Sequence, residues 1–242
     1  MPDEKIVLIT GANKGLGLEI ARQLGEQGAV VLLGARDETR GKEAADALSS
    51  SGLAAEAVRI DVTDSASVAG AAREIEQRYG RLDVLVNNAG ITGSFFGPPS
   101  EATAEQLREV YDTNVFGVVT VTNAMLPLLR RSPAGRIVNM SSNVGSLALN
   151  ADPDGEFWQY NMVTYQSSKT ALNAVTLAYA KELHGTNIKV NAANPGFTAT
   201  DMNNHRGHQS VEQGAAIAVR LATLGPDGPS GTSLDENGTV PW

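Results

Sequence analysis

The amino-acid sequence predicts an α/β fold: a doubly wound parallel sheet of seven strands with helices on both faces, in one domain. Three observations carry this reading. Short apolar, β-branched runs alternate along the chain with stretches of helical periodicity, the rhythm of linked strand–helix–strand units. Several of these runs are apolar at nearly every position, as expected for strands buried on both faces. A glycine-rich turn separates the first run from the first helix, the layout that offers backbone N–H groups and a helix N-terminus to a phosphate.

The whole chain sets the bounds. Its 242 residues are 42% hydrophobic, enough for a sizeable core. The formal net charge is −8, without a basic footprint for nucleic acid. There is no cysteine, which excludes disulfides and thiolate chemistry. Met1-Pro2-Asp3-Glu4-Lys5 runs straight into a strand-like segment with no signal-peptide core. No apolar run reaches the length of a membrane span. We expect a soluble cytoplasmic protein. No solenoid repeat or Pro/Ser-rich linker divides the chain.

The first strand covers residues 5–10 and meets Gly11-Ala12-Asn13-Lys14-Gly15-Leu16-Gly17; helical periodicity then runs over 18–27. The glycine spacing is Gly-x-x-x-Gly-x-Gly, not the commoner Gly-x-Gly-x-x-Gly dinucleotide fingerprint. A purely structural turn is the alternative, but its place between strand and helix favours nucleotide binding. Residues 29–34 form the second strand, followed by Ala35-Arg36-Asp37. A unit that binds NAD usually carries an acidic residue here, on the ribose hydroxyls. Ala35 holds that position, with Arg36 beside it. A guanidinium suits a 2′-phosphate, and Lys14 is a second cation for it. The pair points to NADPH/NADP+ over NAD(H); Asp37 keeps the alternative open.

Residues 37–50 read as a helix and 55–60 as the third strand, ending in Asp61-Val62-Thr63. A helix follows over 64–79, with Asp64 or Thr63 as N-cap. The fourth strand, 82–86, runs into Asn87-Asn88-Ala89-Gly90, residues that tolerate unusual dihedrals. Ligands of such sheets bind at the carboxyl ends of the strands. Gly11, Arg36, Asp61 and Asn88 all follow strand ends, so one crevice can hold all four. A loop covers 91–100, then a helix 103–131 that is interrupted at Asn114 and contains Pro127. The fifth strand, 135–140, leads to Ser141-Ser142. A long helix covers 159–184, the sixth strand 189–193, a helix 211–223 and the seventh strand 231–234. The tail, 235–242, is expected to extend towards the surface, with Trp242 as a candidate anchor.

Near the start of the long helix stand Tyr165 and Lys169. Four apart, they share one face. An ammonium near a phenol favours the phenolate, so the tyrosine is expected to titrate below its usual value of about 10. Such a phenol serves as general acid in one direction and general base in the other.

Thr10-Gly11-x-x-x-Gly15-x-Gly17, Asn87-Asn88-Ala89-Gly90, Asn114, Ser142, Tyr165-x-x-x-Lys169 and Pro195-Gly196 stand in this order between residue 5 and about 202. Together they resemble the short-chain dehydrogenase/reductase family. The chain is most similar to the carbonyl-reductase-like group, through its Gly-Ala-Asn-Lys-Gly turn, its long Ser142-to-Tyr165 segment and its ending, Asp235 to Trp242. The resemblance implies a Rossmann-type fold and reduction of a ketone or aldehyde to an alcohol. Tyr165 would donate the proton, Lys169 would depress its pKa and hold the nicotinamide ribose, and Ser142 (or Ser141) would bond the carbonyl oxygen. Asn114 would hold a water through its backbone. The implied cofactor-binding set is Gly11, Asn13, Lys14, Gly15, Leu16, Gly17, Arg36, Asp61, Val62, Asn88, Ala89, Gly90, Tyr165, Lys169, Pro195, Gly196, Phe197, Thr198 and Thr200. The implied partner is a small carbonyl or alcohol substrate, and a monomer or a homo-oligomer fits. A catalytically silent NADP(H) sensor and a narrow biosynthetic ketoreductase are the competing functions.

Between Ser142 and Tyr165 lie 22 residues, more than compact members of the family carry. Asp152, Asp154 and Glu156 in this segment do not make a calcium loop, because Val163 stands where the twelfth position needs Glu. Phe157, Trp158 and Tyr160 line the substrate pocket or pack on the helix, and Phe95 and Phe96 pose the same choice. His205 and His208 lack a carboxylate or thiol to complete a metal site, so we expect no metal. Their segment is read as a solvated loop and a candidate lid.

Overall fold

The computed structural model describes residues 4–242; Met1 to Asp3, part of the leading stretch read above, lie outside the described residues. In chain order the elements are β1 (Ile6–Thr10), α1 (Gly15–Glu26), β2 (Val30–Ala35), α2 (Glu38–Ser50), β3 (Ala55–Arg59), α3 (Ser65–Tyr79) and β4 (Val84–Asn87). They continue with α4 (Ala104–Tyr111), α5 (Gly117–Leu129), β5 (Arg136–Met140), α6 (Leu147–Asn150), α7 (Val163–Glu182), β6 (Lys189–Ala193), α8 (Val211–Ala222), β7 (Ser233–Asp235) and β8 (Gly238–Thr239). One sheet holds every strand in the order β3-β2-β1-β4-β5-β6-β7-β8. Chain order reverses between β1 and β4, the switch point at which such sheets bind ligands.

Strand alternation sorts the core into two layers. Val7, Ile9, Val31, Leu33 and Val86 pack with α1 and α8 on one face. Ile6, Leu8, Leu32, Leu85 and Ile137 pack with α3, α5 and α7 on the other. These side chains are almost wholly removed from water, and each contributes about 1.5–3 kcal/mol. Asp64 caps α3 by accepting from the Ala66 N–H at 2.9 Å, while Thr63 donates to Asp61 instead.

Three differences from the sequence reading have physical causes. The sheet has eight strands, not seven. Asp235 accepts from the Asn237 and Gly238 N–H groups, and the tail folds back as β8, antiparallel to β7. Val240 is consequently buried, and the Trp242 carbonyl accepts from the Ala148 N–H. The helix expected from residue 159 starts at Val163, because the Gln166 side chain takes the Met162 N–H (2.6 Å) and holds the preceding residues in a turn. The interruption at Asn114 is a π-turn over Asp112–Phe116 joining α4 to α5.

Candidate active site

The segments that follow β1 to β6 open at the carboxyl edge of the sheet. Gly11 and Gly15 both have positive φ, +64° and +57°, which glycine adopts without strain. A Cβ on Gly17 would stand 2.5 Å from Asn88 Nδ2 and 2.7 Å from the Gly11 carbonyl, so only glycine fits. Asn88 Nδ2 donates to the Thr10 and Gly11 carbonyls, and Thr10 Oγ1 accepts from the Asn88 and Ala89 N–H groups. The turn after β1 and the turn after β4 are thereby one rigid unit. No side chain caps the first turn of α1, which leaves its N–H groups available. Asn13 and Leu16 are half-buried beside that turn.

At the end of β2, Asp37 accepts from the Arg40 N–H at 3.1 Å and pairs with the Arg40 side chain at 3.5 Å. Its carboxylate caps α2. Arg36 is exposed and makes no hydrogen bond or ion pair among the described residues. Asp61 accepts from the Thr63 hydroxyl and N–H; those bonds, helped by nearby Arg36, hold its carboxyl below the usual range. Val62 lies against Gly117, where a Cβ would meet it at 3.0 Å. Lys14 pairs with Asp201 at 2.7 Å, and Asp201 also accepts from His205 Nε2 at 2.9 Å. The segment after β6 is thus tied to the glycine turn.

The reactive groups converge next to this crevice. Ser142 stands near the Tyr165 hydroxyl, close enough to draw its pKa down. Ser141 is engaged elsewhere: its Oγ bonds Asn173 Oδ1 at 2.6 Å, on α7. Lys169 Nζ donates to the Met140 carbonyl at 2.7 Å and lies 5.5 Å from the Tyr165 ring centre. Asn114 Oδ1 accepts from the Ile91 N–H, and its Nδ2 donates to the Ile91 carbonyl and Ser168 Oγ. A Cβ on Gly90 would lie 3.4 Å from Asn114 Oδ1 and 3.7 Å from Lys169 Nζ. A Cβ on Gly145 would stand 2.7 Å from the Lys169 Cβ, so glycine there lets the lysine lie flat against the loop.

The expected lowering of the Tyr165 pKa is not what this environment does. Burial pushes the phenol up, to about 12, although the side chain as a whole is half-buried; nearby Ser142 pulls the other way. Burial also pulls the Lys169 ammonium down, to about 8. Desolvation is the largest cause of both shifts.

Beyond β6, Gly196 has φ +70°, and the Thr198 hydroxyl, buried, donates to the Pro195 carbonyl at 2.9 Å. Thr200 is half-buried, with its methyl 3.9 Å from where a Gly15 Cβ would stand. Phe197 is exposed and lies beside His208. The structure therefore gathers Asn114, Ser142, Tyr165, Lys169 and the glycine turn at one edge, with Arg36 at the neighbouring strand end. Sequence reasoning missed Asn173 and Gln166. Asn173 had a signal, since it stands four residues after Lys169 on the same helix face. Depressions of about 440 and 400 Å3 lie along α3 and edge strand β3, away from Tyr165.

The chain matches the family model described as short chain dehydrogenase over residues 5–210, and it belongs to that family. It is an oxidoreductase of the short-chain type, with carbonyl-reductase-like neighbours. Short-chain dehydrogenase/reductase 1 of Saponaria officinalis is 36% identical, with 100% of this chain and 97% of the relative covered. The solved salutaridine reductase from Papaver somniferum superposes with a TM-score of 0.83 at 31% identity, covering 95% of this chain and 99% of that one. The NADPH bound carbonyl reductase from chicken fatty liver gives 0.85 at 29% identity, covering 99% of each chain.

Proposed function

We propose that the protein is an NADPH-dependent reductase of a ketone or aldehyde. The observation that carries this reading is Lys169 Nζ held 5.5 Å from the Tyr165 ring centre by the Met140 carbonyl, with Ser142 and Asn114 beside them at the same sheet edge as the glycine turn. The residues present fit a dinucleotide. The close-packed glycine cradle and the uncapped start of α1 suit a pyrophosphate. Arg36, free of partners among the described residues, suits a 2′-phosphate, while Asp37 is engaged in its cap. Asp61 and Val62 would flank the adenine side. Asn88, Ala89, Gly90, Lys169 and the segment from Pro195 to Thr200 would hold the nicotinamide half.

When bound, NADPH supplies the hydride that the carbonyl carbon accepts. The chain does the rest. Ser142 Oγ donates to the carbonyl oxygen and polarises it. Tyr165 gives that oxygen its phenolic proton, so the products are an alcohol and NADP+. A high phenol pKa keeps Tyr165 protonated at neutral pH, the state that reduction needs. Lys169, charged below about pH 8, favours the phenolate left behind. The Asn114 backbone would hold a water from which Lys169 and Tyr165 are reprotonated.

The test is NADPH consumption, followed by absorbance with product alcohol identified, against aldehydes, quinones, α-diketones and ring ketones. Turnover of part of this panel is expected. Bound NADPH with no turnover across all of it would favour the silent sensor.

A further inference from the structure

Exposed apolar side chains are concentrated in the segments that follow the carboxyl ends of the strands. Among the described residues eight large apolar side chains are exposed. Six of them, Phe96, Leu147, Trp158, Tyr160, Phe197 and Met202, lie in the segments that follow β4, β5 and β6. Those segments surround Ser142 and Tyr165 at the carboxyl edge. Scattered apolar residues are normal on a protein surface, but six of eight in the segments at one end of a sheet point to a binding surface there. Ligand pockets have this composition: apolar walls with a few convergent polar groups.

The wall is held in place. Gln166, next to Tyr165, donates to Asn150 Oδ1 at 2.8 Å and to the Tyr160 carbonyl at 3.0 Å. Asn150 in turn donates to the Val144 and Ser146 carbonyls. One side chain on the catalytic helix thereby fixes both α6, which carries Leu147, and the aromatic turn, which carries Trp158 and Tyr160. Phe157 supports that turn, with its ring 6.2 Å from Tyr160.

The charge at this rim is acidic. Asp152, Asp154 and Glu156 are exposed and form no ion pair among the described residues. Across the mouth Lys14 and His205 pair with Asp201, and exposed Arg206 bonds only the Asn203 carbonyl. An anionic substrate would meet the like charge of these three unpaired carboxylates.

We propose that the site takes a bulky, apolar ring ketone without an anionic group. This rests on the carbonyl-reductase reading above and narrows it by substrate class. Tyr165 and Ser142 engage the carbonyl oxygen, and the apolar wall covers the rest of the ring system.

The test compares 4-phenylcyclohexanone with cyclohexanone, which lacks the second ring, and with 4-(4-oxocyclohexyl)benzoate, which adds a carboxylate. Butane-2,3-dione serves as a small reactive control. The expected kcat/KM for 4-phenylcyclohexanone exceeds both ring comparisons by about tenfold or more, the discrimination an apolar pocket supplies. Trp158→Ala should narrow its advantage over cyclohexanone about tenfold, and Gln166→Ala should do the same by loosening the wall. Equal values for the neutral and carboxylated ketones, or an unchanged advantage in both variants, would overturn the substrate class while leaving the reductase reading standing. No turnover of any ketone, butane-2,3-dione included, would overturn the reductase reading itself and the inference with it.

Discussion

The two ends of the sheet use the same kinds of side chain to opposite effect. At the amino end, buried Asp83 accepts from the Ile6 N–H, Ser132 Oγ and Arg81 Nε. Buried Arg136 donates to the carbonyls of Gly135, Asn187, Leu224 and Gly225. Each group is surrounded by partners, and the cluster ties β1, β4 and β5 to the loops beneath them. At the carboxyl end, buried Lys169 has a single carbonyl, half-buried Tyr165 stands beside Ser142, and Arg36, open to solvent, makes no bond among the described residues. Buried polar groups normally find partners. Where they are saturated they hold the fold together; where they are left under-partnered at a ligand-binding edge, they are available for chemistry.

The largest effect should come from Tyr165→Phe. It removes only the hydroxyl, and kcat for carbonyl reduction is expected to fall about 10²–10⁴-fold with NADPH affinity and melting temperature nearly unchanged. A variant close to wild type would dissolve the contrast between the two ends. Next is Asp83→Ala, which strands the Ile6 N–H, Ser132 and Arg81 together. We expect a loss of about 3–5 kcal/mol in urea unfolding, with the KM for NADPH in the folded protein unaltered. An altered KM with intact stability would reverse the roles assigned to the two ends.

Arg36→Ala should raise the KM for NADPH about tenfold to a hundredfold and leave that for NADH little changed, from the loss of a charge-assisted bond. Equal effects on both would remove Arg36 from the 2′-phosphate. The smallest effect sharpens the comparison through pH. Lys169 titrates near 8 in the fold against an ordinary 10.5. Between those values the unfolded chain binds the extra proton, so stability rises with pH across that window, and below about 8 the buried charge costs the fold its full amount. Lys169→Met, which leaves the Met140 carbonyl without its donor, should stabilise the protein by about 1–2 kcal/mol at pH 7 while abolishing turnover. The gain should shrink as pH climbs from about 8 to 10.5. Calorimetry across that range measures it.

Much of the fold and site was legible in the sequence because local rules enforce it. The Gly11 and Gly15 turns need positive φ, Gly17 has no room for a Cβ, and Tyr165, Lys169 and Asn173 share a helix face by spacing alone. The β8 hairpin carries its own signal, since Asn237-Gly238 is a turn dipeptide, although the strand it closes is only two residues long. Other features depend on distant contacts. The ion pair of Lys14 with Asp201 joins residues far apart in the chain, and the direction of the Tyr165 shift is set by desolvation. The long helix starts late because a side chain inside it captures the backbone just before it.

A carboxyl edge that reduces carbonyls with NADPH, as proposed, must tell the two nicotinamide cofactors apart. The most direct measurement is wild-type kcat/KM for NADPH and for NADH, with 4-phenylcyclohexanone held saturating. A preference for NADPH of about tenfold or more is the expected result, since Arg36 is free for a 2′-phosphate and Asp37 is not free for ribose hydroxyls. Equal use of both cofactors, or a preference for NADH, would contradict it.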